Sequence, residues 1–199
     1  MTNRREFLQT AAALSAAAPL AGRAAFASGR DAITLEAVIF DSRHSAARDF
    51  GARAGYLGAP LRPIEGDVTD LWQNELLGRW KAAPAAIAGL TERPALFLLE
   101  RLAWEHGLRV VFEAEHGPDG RGTAVHRVRR TADPHLAREL DAAGAGWTKA
   151  LADALVARGR AAARDFRPTH AGLAARLGEP TTLHSWIIAP RGTARIERI

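Results

Sequence analysis

Residues 33–57 read ITLEAVIFDSRHSAARDFGARAGYL, and this stretch decides the fold. The apolar run from 33 to 40 is rich in β-branched residues and ends at Asp41, which predicts a buried strand. Ser42 or Ser45 then caps a helix. The apolar face of that helix is formed by Ala46, Ala47, Phe50, Ala54 and Leu57. A strand that leads directly into an amphipathic helix indicates an α/β protein.

The same alternation continues along the chain. An extended segment at 61–65 precedes an amphipathic helix, and a small-residue strand at 85–90 precedes a helix that Thr91 caps. A further strand follows at 108–114. Three strand-to-helix units with short connections predict a three-layer sandwich with a mostly parallel sheet, either flavodoxin-like or Rossmann-like.

The pattern changes in the second half of the chain. The glycine-rich segment 117–122 predicts a hairpin turn, with 123–130 as the returning strand. A helical region begins at Pro134 and is interrupted by glycines, which predicts two consecutive helices, and a final strand covers 181–189. We therefore expect residues 28–199 to form a single α/β domain that ends in a helical region and a last strand.

The first residues carry an export motif. Two arginines are followed by an aromatic residue and a leucine, as Arg4, Arg5, Phe7 and Leu8. An alanine-rich apolar stretch from 10 to 20 and a small-x-small cleavage site at 25–27 complete the pattern. Residues 1–27 thus resemble the twin-arginine (Tat) signal of exported bacterial proteins. The resemblance implies recognition by the Tat translocase and delivery of residues 28–199 to the periplasm.

The composition excludes several classes of function. The chain has no cysteine, which excludes disulfides, thiol catalysis and cysteine-held haem or iron–sulfur groups. The formal net charge of +5 comes from arginines interspersed with acidic residues, so no nucleic-acid partner is expected. No dinucleotide-binding glycine motif or P-loop occurs, and the cofactor stays unknown. After cleavage of the signal no apolar run reaches the roughly 20 residues that span a bilayer, so no membrane span is expected.

Polar side chains follow the predicted strands at their carboxyl ends, where open α/β sheets bind ligands. The ligand-binding candidates are Asp41, Ser42, Arg43 and His44 after the first strand, Asp67 and Thr69 after the second, Thr91 after the third, and Glu115 and His116 after the fourth. Glu92, Arg93 and Glu113 lie at the same strand ends. Ser42, Asp67, Thr69 and Thr91 have an alternative role as helix N-caps, and Arg43 and His44 as solvated loop residues.

Motifs for metal binding and nucleophilic catalysis are incomplete. No two candidates show a recognised metal-ligand spacing such as His-x-x-x-His, so we predict no metal site. His184 and Ser185 are adjacent in a predicted strand and point to opposite faces, so they cannot act together as base and nucleophile. No Gly-x-Ser-x-Gly motif occurs either. Catalytic residues are therefore not assigned.

Two functions from different classes fit these observations. The first is a periplasmic protein that binds a small molecule or serves as an accessory protein of a partner redox enzyme. The second is a small periplasmic hydrolase or lyase that uses Asp41, His44, Glu115 or His116 for acid–base chemistry. The absence of a complete catalytic motif favours the first function, and whether the chain is an enzyme stays open.

Overall fold

A computed structural model describes residues 35–118, 123–130, 135–159, 174–176 and 181–190. The predicted export signal lies outside these residues. The strands are β1 (Leu35–Asp41), β2 (Leu61–Ile64), β3 (Ala86–Thr91), β4 (Leu108–Pro118), β5 (Thr123–Arg130), β6 (Ala174–Arg176) and β7 (Leu183–Pro190). The helices are α1 (Ser45–Tyr56), α2 (Thr69–Leu71), α3 (Leu77–Ala82), α4 (Arg93–Glu105), α5 (Leu136–Ala143) and α6 (Trp147–Gly159). A π-helical turn, Trp72–Leu76, joins α2 to α3, and a 3-10 turn, Gly144–Gly146, joins α5 to α6.

The described strands form one sheet in the order β2-β1-β3-β7-β4-β5-β6. β1 pairs in parallel with β2 and with β3. The pairs β3–β7, β7–β4, β4–β5 and β5–β6 are all antiparallel. The protein is therefore α/β with a mixed sheet, and the prediction of a mostly parallel sheet is wrong.

Most strands and helices occur where the sequence predicts them. The wrong part of the prediction is the order of the strands in the sheet. β7 comes from the far end of the chain and inserts between β3 and β4, so the two strands joined by α4 are not neighbours. Hydrophobic periodicity shows which segments are extended and which face is buried, but it does not show which strand lies beside which. Every residue of β7 except Pro190 is buried, as expected of a central strand.

Both faces of the sheet are covered by helices. Val38 and Ile187 point to the face on which α1, α5 and α6 pack, and they share a buried apolar core with side chains of those helices. Ile39 and Trp186, their neighbours along the strands, point to the opposite face and pack with side chains of α3 and α4. The crossover helices α1 and α4 therefore lie on opposite sides of the sheet. None of the described helices combines the length and the apolar composition needed to cross a bilayer.

Candidate functional site

Four polar side chains meet where β1 and β3 end, and we call them the Asp41 cluster: Asp41, Arg43, His44 and Glu92. Asp41 is the last residue of β1 and is fully buried. His44 is the N-cap of α1, and Glu92 lies between β3 and α4 as the N-cap of the latter. Neither N-cap side chain caps its own helix, and the two side chains instead contact each other.

Arg43 holds the buried carboxylate of Asp41 through two parallel hydrogen bonds. Its Nε donates to Oδ1 at 2.9 Å and its Nη2 donates to Oδ2 at 2.7 Å, while Nη2 also lies 3.3 Å from Oε2 of Glu92. The hydrogen bond to Asp41 raises the pKa of the Arg43 guanidinium, which is charged at any physiological pH. The Arg43 side chain is 45% exposed, and its Nη1 donates to no group among the described residues. The cluster therefore presents an oriented, partly exposed guanidinium whose Nη1 has no acceptor within the described part of the chain.

His44 lies between the two carboxylates. Its Nε2 is 2.9 Å from Oε1 of Glu92 and 3.8 Å from Oδ2 of Asp41. The side chain of His44 is only 11% exposed, whereas that of Glu92 is 30% exposed. The imidazole is thus a hydrogen-bonding group at the inner side of the cluster, with Glu92 at its outer side.

The backbone of Gly66 packs against the guanidinium of Arg43. This glycine has a φ of 88°, and a Cβ placed on it would lie 2.5 Å from Cζ of Arg43. Only glycine both adopts this backbone conformation readily and leaves room for the guanidinium. The loop after β2 therefore contributes close backbone packing to the cluster.

The other candidates from the first half of the chain have structural roles. Ser42 joins β1 to β2, because its Oγ donates to the carbonyl of Ile64 at 2.9 Å. Asp67 accepts hydrogen bonds from the backbone N–H and the hydroxyl of Thr69, at 2.8 and 2.7 Å, and the bond from the hydroxyl lowers the pKa of the Asp67 carboxyl. Asp67 thus forms an Asx turn before α2. The predicted N-cap role of Ser42, Asp67 and Thr69 is wrong, because the N-caps of α1 and α2 are His44 and Val68 and neither helix has a side-chain cap.

Thr91 is buried at the end of β3 and does not cap α4, so that interpretation is wrong. Its hydroxyl donates to the carbonyl of Glu92 and accepts from Nε1 of Trp186, each at 3.1 Å. Trp186 belongs to β7, which the sequence did not place beside β3. The Thr91 side chain therefore links β3 to β7 beneath the Asp41 cluster.

Glu115 and His116 point to opposite faces of the sheet. Glu115 lies on the face of α4 and accepts from Nη2 of Arg129 at 2.7 Å. Burial opposes ionisation of Glu115, but the hydrogen bond and charge of Arg129 outweigh it and lower the pKa of the carboxyl. In register with Glu115 across the sheet is His184, whose Nδ1 is 3.9 Å from Oε1 of Glu113. A second group of charged side chains thus lies on this face, farther along the same edge.

His116 is fully buried on the other face, beneath α6. Its Nδ1 lies 2.7 Å from Nδ1 of His126, its Nε2 lies 2.7 Å from Oγ of Ser185, and the ring stacks on Trp147. Burial lowers the pKa of His116 well below its ordinary value and that of His126 to about 4. The structure therefore places His116 in the interior, away from the Asp41 cluster.

Three members of the cluster have the donor atoms of a metal site. Asp41, His44 and Glu92 each offer one ligand atom, and these atoms lie within 4.8 Å of one another. Within the described ranges this is the one group of three or more such residues. Spacing along the sequence does not reveal it, because Glu92 is 48 residues from His44. The signal available in the sequence was its position at a strand end.

Comparison of the chain with protein-family models, curated proteins and solved structures gives no match.

Proposed function

We propose that the chain is a small-molecule-binding protein of the bacterial periplasm and that its ligand binds at the Asp41 cluster. The observation that carries the proposal is the meeting of Asp41, Arg43 and His44 with Glu92, at the ends of two adjacent parallel strands whose helices leave toward opposite faces. Residues from two separate segments, 48 positions apart, supply the polar groups of one site.

The position of the cluster supports this function. The parallel strands follow the order β2-β1-β3, as in flavodoxin-like sheets, with α1 and α4 on opposite sides. In doubly wound sheets the divergence of two such helices opens a crevice at the carboxyl ends of the strands, and ligands bind there. We infer that the same rule applies here, although an antiparallel strand interrupts the sheet on the other side of β3.

The exposed groups favour a ligand with an acidic group. Nη1 of Arg43 donates to no group among the described residues, and the guanidinium is oriented by the buried carboxylate of Asp41. The N-termini of α1 and α4 begin beside it, and their partial positive charge favours anions. Such a guanidinium forms short, charge-assisted hydrogen bonds with carboxylate or phosphate oxygens.

Acid–base catalysis is a second candidate function. His44 contacts Glu92 and lies near Asp41, and such a pairing with carboxylates is the arrangement in which imidazoles transfer protons. His116 takes no part in this candidate, because it is buried on the opposite face. Replacement of His44 by Gln would abolish turnover of a bound substrate under this hypothesis. A ligand that returns chemically unchanged from the wild-type protein would favour the binding function.

Native mass spectrometry tests the proposed function. The protein is purified from the periplasm without chelators, and its native and denatured masses are compared. We expect a mass difference from a retained small molecule, which Arg43→Lys reduces about tenfold or more because the ammonium lacks the second donor edge. The control is Arg79→Lys, since Arg79 is 51% exposed and also pairs with a glutamate. Equal retention in both variants would contradict the assignment of the site.

A further inference from the structure

We propose that Asp41, His44 and Glu92 bind a divalent metal ion, and that the acidic group of the ligand completes its coordination. The inference rests on the proposed function, because it identifies what the ligand binds at the same cluster. The ion belongs to the class that accepts mixed imidazole and carboxylate ligands, of which Zn²⁺, Mn²⁺ and Fe²⁺ are examples.

The distances between the donor atoms fit one ion. Nε2 of His44 lies 2.9 Å from Oε1 of Glu92 and 3.8 Å from Oδ2 of Asp41, and the three atoms lie within 4.8 Å of one another. Ligands bound at about 2.0–2.2 Å are separated by about 3 Å at right angles and by about 4 Å when opposed. The side chains therefore need only small adjustments to share an ion.

Arg43 is compatible with the ion. The guanidinium binds Asp41 along one edge, through Oδ1 and Oδ2, and each carboxylate oxygen carries two lone pairs. One lone pair of Oδ2 thus stays available to an ion. Groups that hydrogen-bond to metal ligands commonly orient those ligands before the ion binds. Arg43 orients the carboxylate of Asp41 in this way.

The ligands stand on rigid elements. Asp41 ends a buried central strand and is fully buried, His44 begins α1, and Glu92 begins α4. A donor set fixed by one strand and two helices loses little conformational freedom when it binds an ion. Coordination through Nε2 needs a neutral imidazole with its proton on Nδ1, so the proton that Nε2 shares with Glu92 moves through solvent to Nδ1.

The charges explain why an anionic ligand would follow the ion. Two carboxylates and one guanidinium give the cluster a net charge of −1 when His44 is neutral. A divalent ion changes this to +1 and leaves coordination positions open, since only three protein ligands are present. An anion would then bind both the ion and Nη1 of Arg43. The metal thus adds to the attraction that Arg43 and the two helix N-termini provide.

Metal titration tests the inference. The untagged mature protein, stripped with a chelator and dialysed, is titrated with Zn²⁺ alone by calorimetry and with Co²⁺ by visible absorption. We expect one equivalent to bind and the affinity to fall about 100-fold in His44→Gln and Glu92→Gln, because each removes one of three ligands. Glu75→Gln is the control, since Glu75 is a partly exposed carboxylate paired with Arg62. Both variants leave the fully buried Asp41 unchanged.

Two results would overturn the inference: no stoichiometric binding of either ion at millimolar concentration, or equal affinity in the wild type and in both ligand variants. The outcome is separable from that of the proposed function. A retained organic ligand without metal would sustain small-molecule binding and reject the metal. One bound ion with no retained molecule would sustain the metal and reject small-molecule retention.

Discussion

At the scale of single residues, the backbone conformation of Gly66 affects the position of Arg43 in the candidate site. Its positive φ and its contact with Arg43 predict that Gly66→Ala displaces the guanidinium. Gly58 has a similar φ of 81°, with nothing within 4 Å of an added Cβ. Both alanine variants should lose about 1–2 kcal/mol from left-handed backbone strain, measured by urea unfolding. Only Gly66→Ala should also lose ligand retention in native mass spectra, and equal retention in the two would contradict the role given to Arg43.

The buried pair His116 and His126 predicts a pH dependence of stability. Folding lowers the pKa of both rings, and that of His126 falls from 6.5 to about 4. Between these values the unfolded chain binds protons that the folded chain does not, so the free energy of unfolding falls as the pH falls from 6.5 toward 4. The contribution of His126 is on the order of 3 kcal/mol.

Urea unfolding at about pH 7 and about pH 5 measures this dependence. His126→Phe should reduce the difference between the two pH values, because it removes one of the two buried rings whose pKa folding lowers. His135→Gln, at an exposed position, should leave the difference unchanged. An equal difference in the wild type and in His126→Phe would show that other groups cause the acid sensitivity.

The sequence predicted part of the site at this scale. Asp41, Arg43 and His44 are consecutive or nearly so after a strand, and they do meet as expected of a strand end. The sequence identified Glu92 only as a residue at a strand end. Its contact with His44 depends on β1 and β3 being neighbours in the sheet. His116 was misplaced because alternation along a strand sends it to the face opposite Glu115.

At the scale of elements, most strands and helices were predictable, whereas the short strand β6 and the order of the strands were not. The period of apolar residues located α1, α4, the hairpin of β4 and β5, and the two C-terminal helices. The position of β7 depends on contacts between segments about 90 residues apart, for example Thr91 with Trp186. The apolar pattern within one segment does not indicate contacts between distant segments. The packing of Trp186 against β3 establishes the contact with β7 in the folded chain.

The contact between β3 and β7 leads to a stability prediction at Gly89. A Cβ at this position would overlap the ring of Trp186 and lie 2.6 Å from the carbonyl oxygen of Ile39, which cannot move away. Gly89→Ala should therefore destabilise the protein by about 3 kcal/mol, at the upper end of overpacking effects. Gly78→Ala is the control, since this glycine of α3 has nothing within 4 Å and should gain up to about 1 kcal/mol.

Urea unfolding curves for the two variants decide the point. A loss at position 89 with a gain at position 78 is expected at unchanged dependence on denaturant. A wild-type midpoint for Gly89→Ala would mean that Trp186 does not pack across β3 as described.

At the scale of the whole molecule, export is predicted from residues 1–27, which lie outside the described part of the chain. We propose that Arg4 and Arg5 direct the chain to the Tat translocase, and their joint replacement by Lys should retain the precursor in the cytoplasm. Arg23→Lys, outside the arginine pair, should leave export intact. Cell fractionation with mass measurement of the product checks both location and cleavage after residue 27. Periplasmic recovery of the double variant would contradict Tat export.

Two properties of the whole fold position the Asp41 cluster. Helices cover both faces of the sheet, and the crossover helices α1 and α4 diverge from adjacent strand ends. The layered architecture was predictable from alternating strands and helices, because each needs a partner for its apolar face. The place of divergence became known only with the strand order, and it coincides with the most buried polar group of the cluster, Asp41.

A crystal structure of the protein purified from the periplasm, without added ligand, tests the central claim most directly. We predict density for a small molecule that contacts Arg43 and lies beside His44 and Glu92, at the ends of β1 and β3. A molecule bound elsewhere, for example beside Trp72 and Trp80 at α3, with the Asp41 cluster unchanged, would contradict the claim.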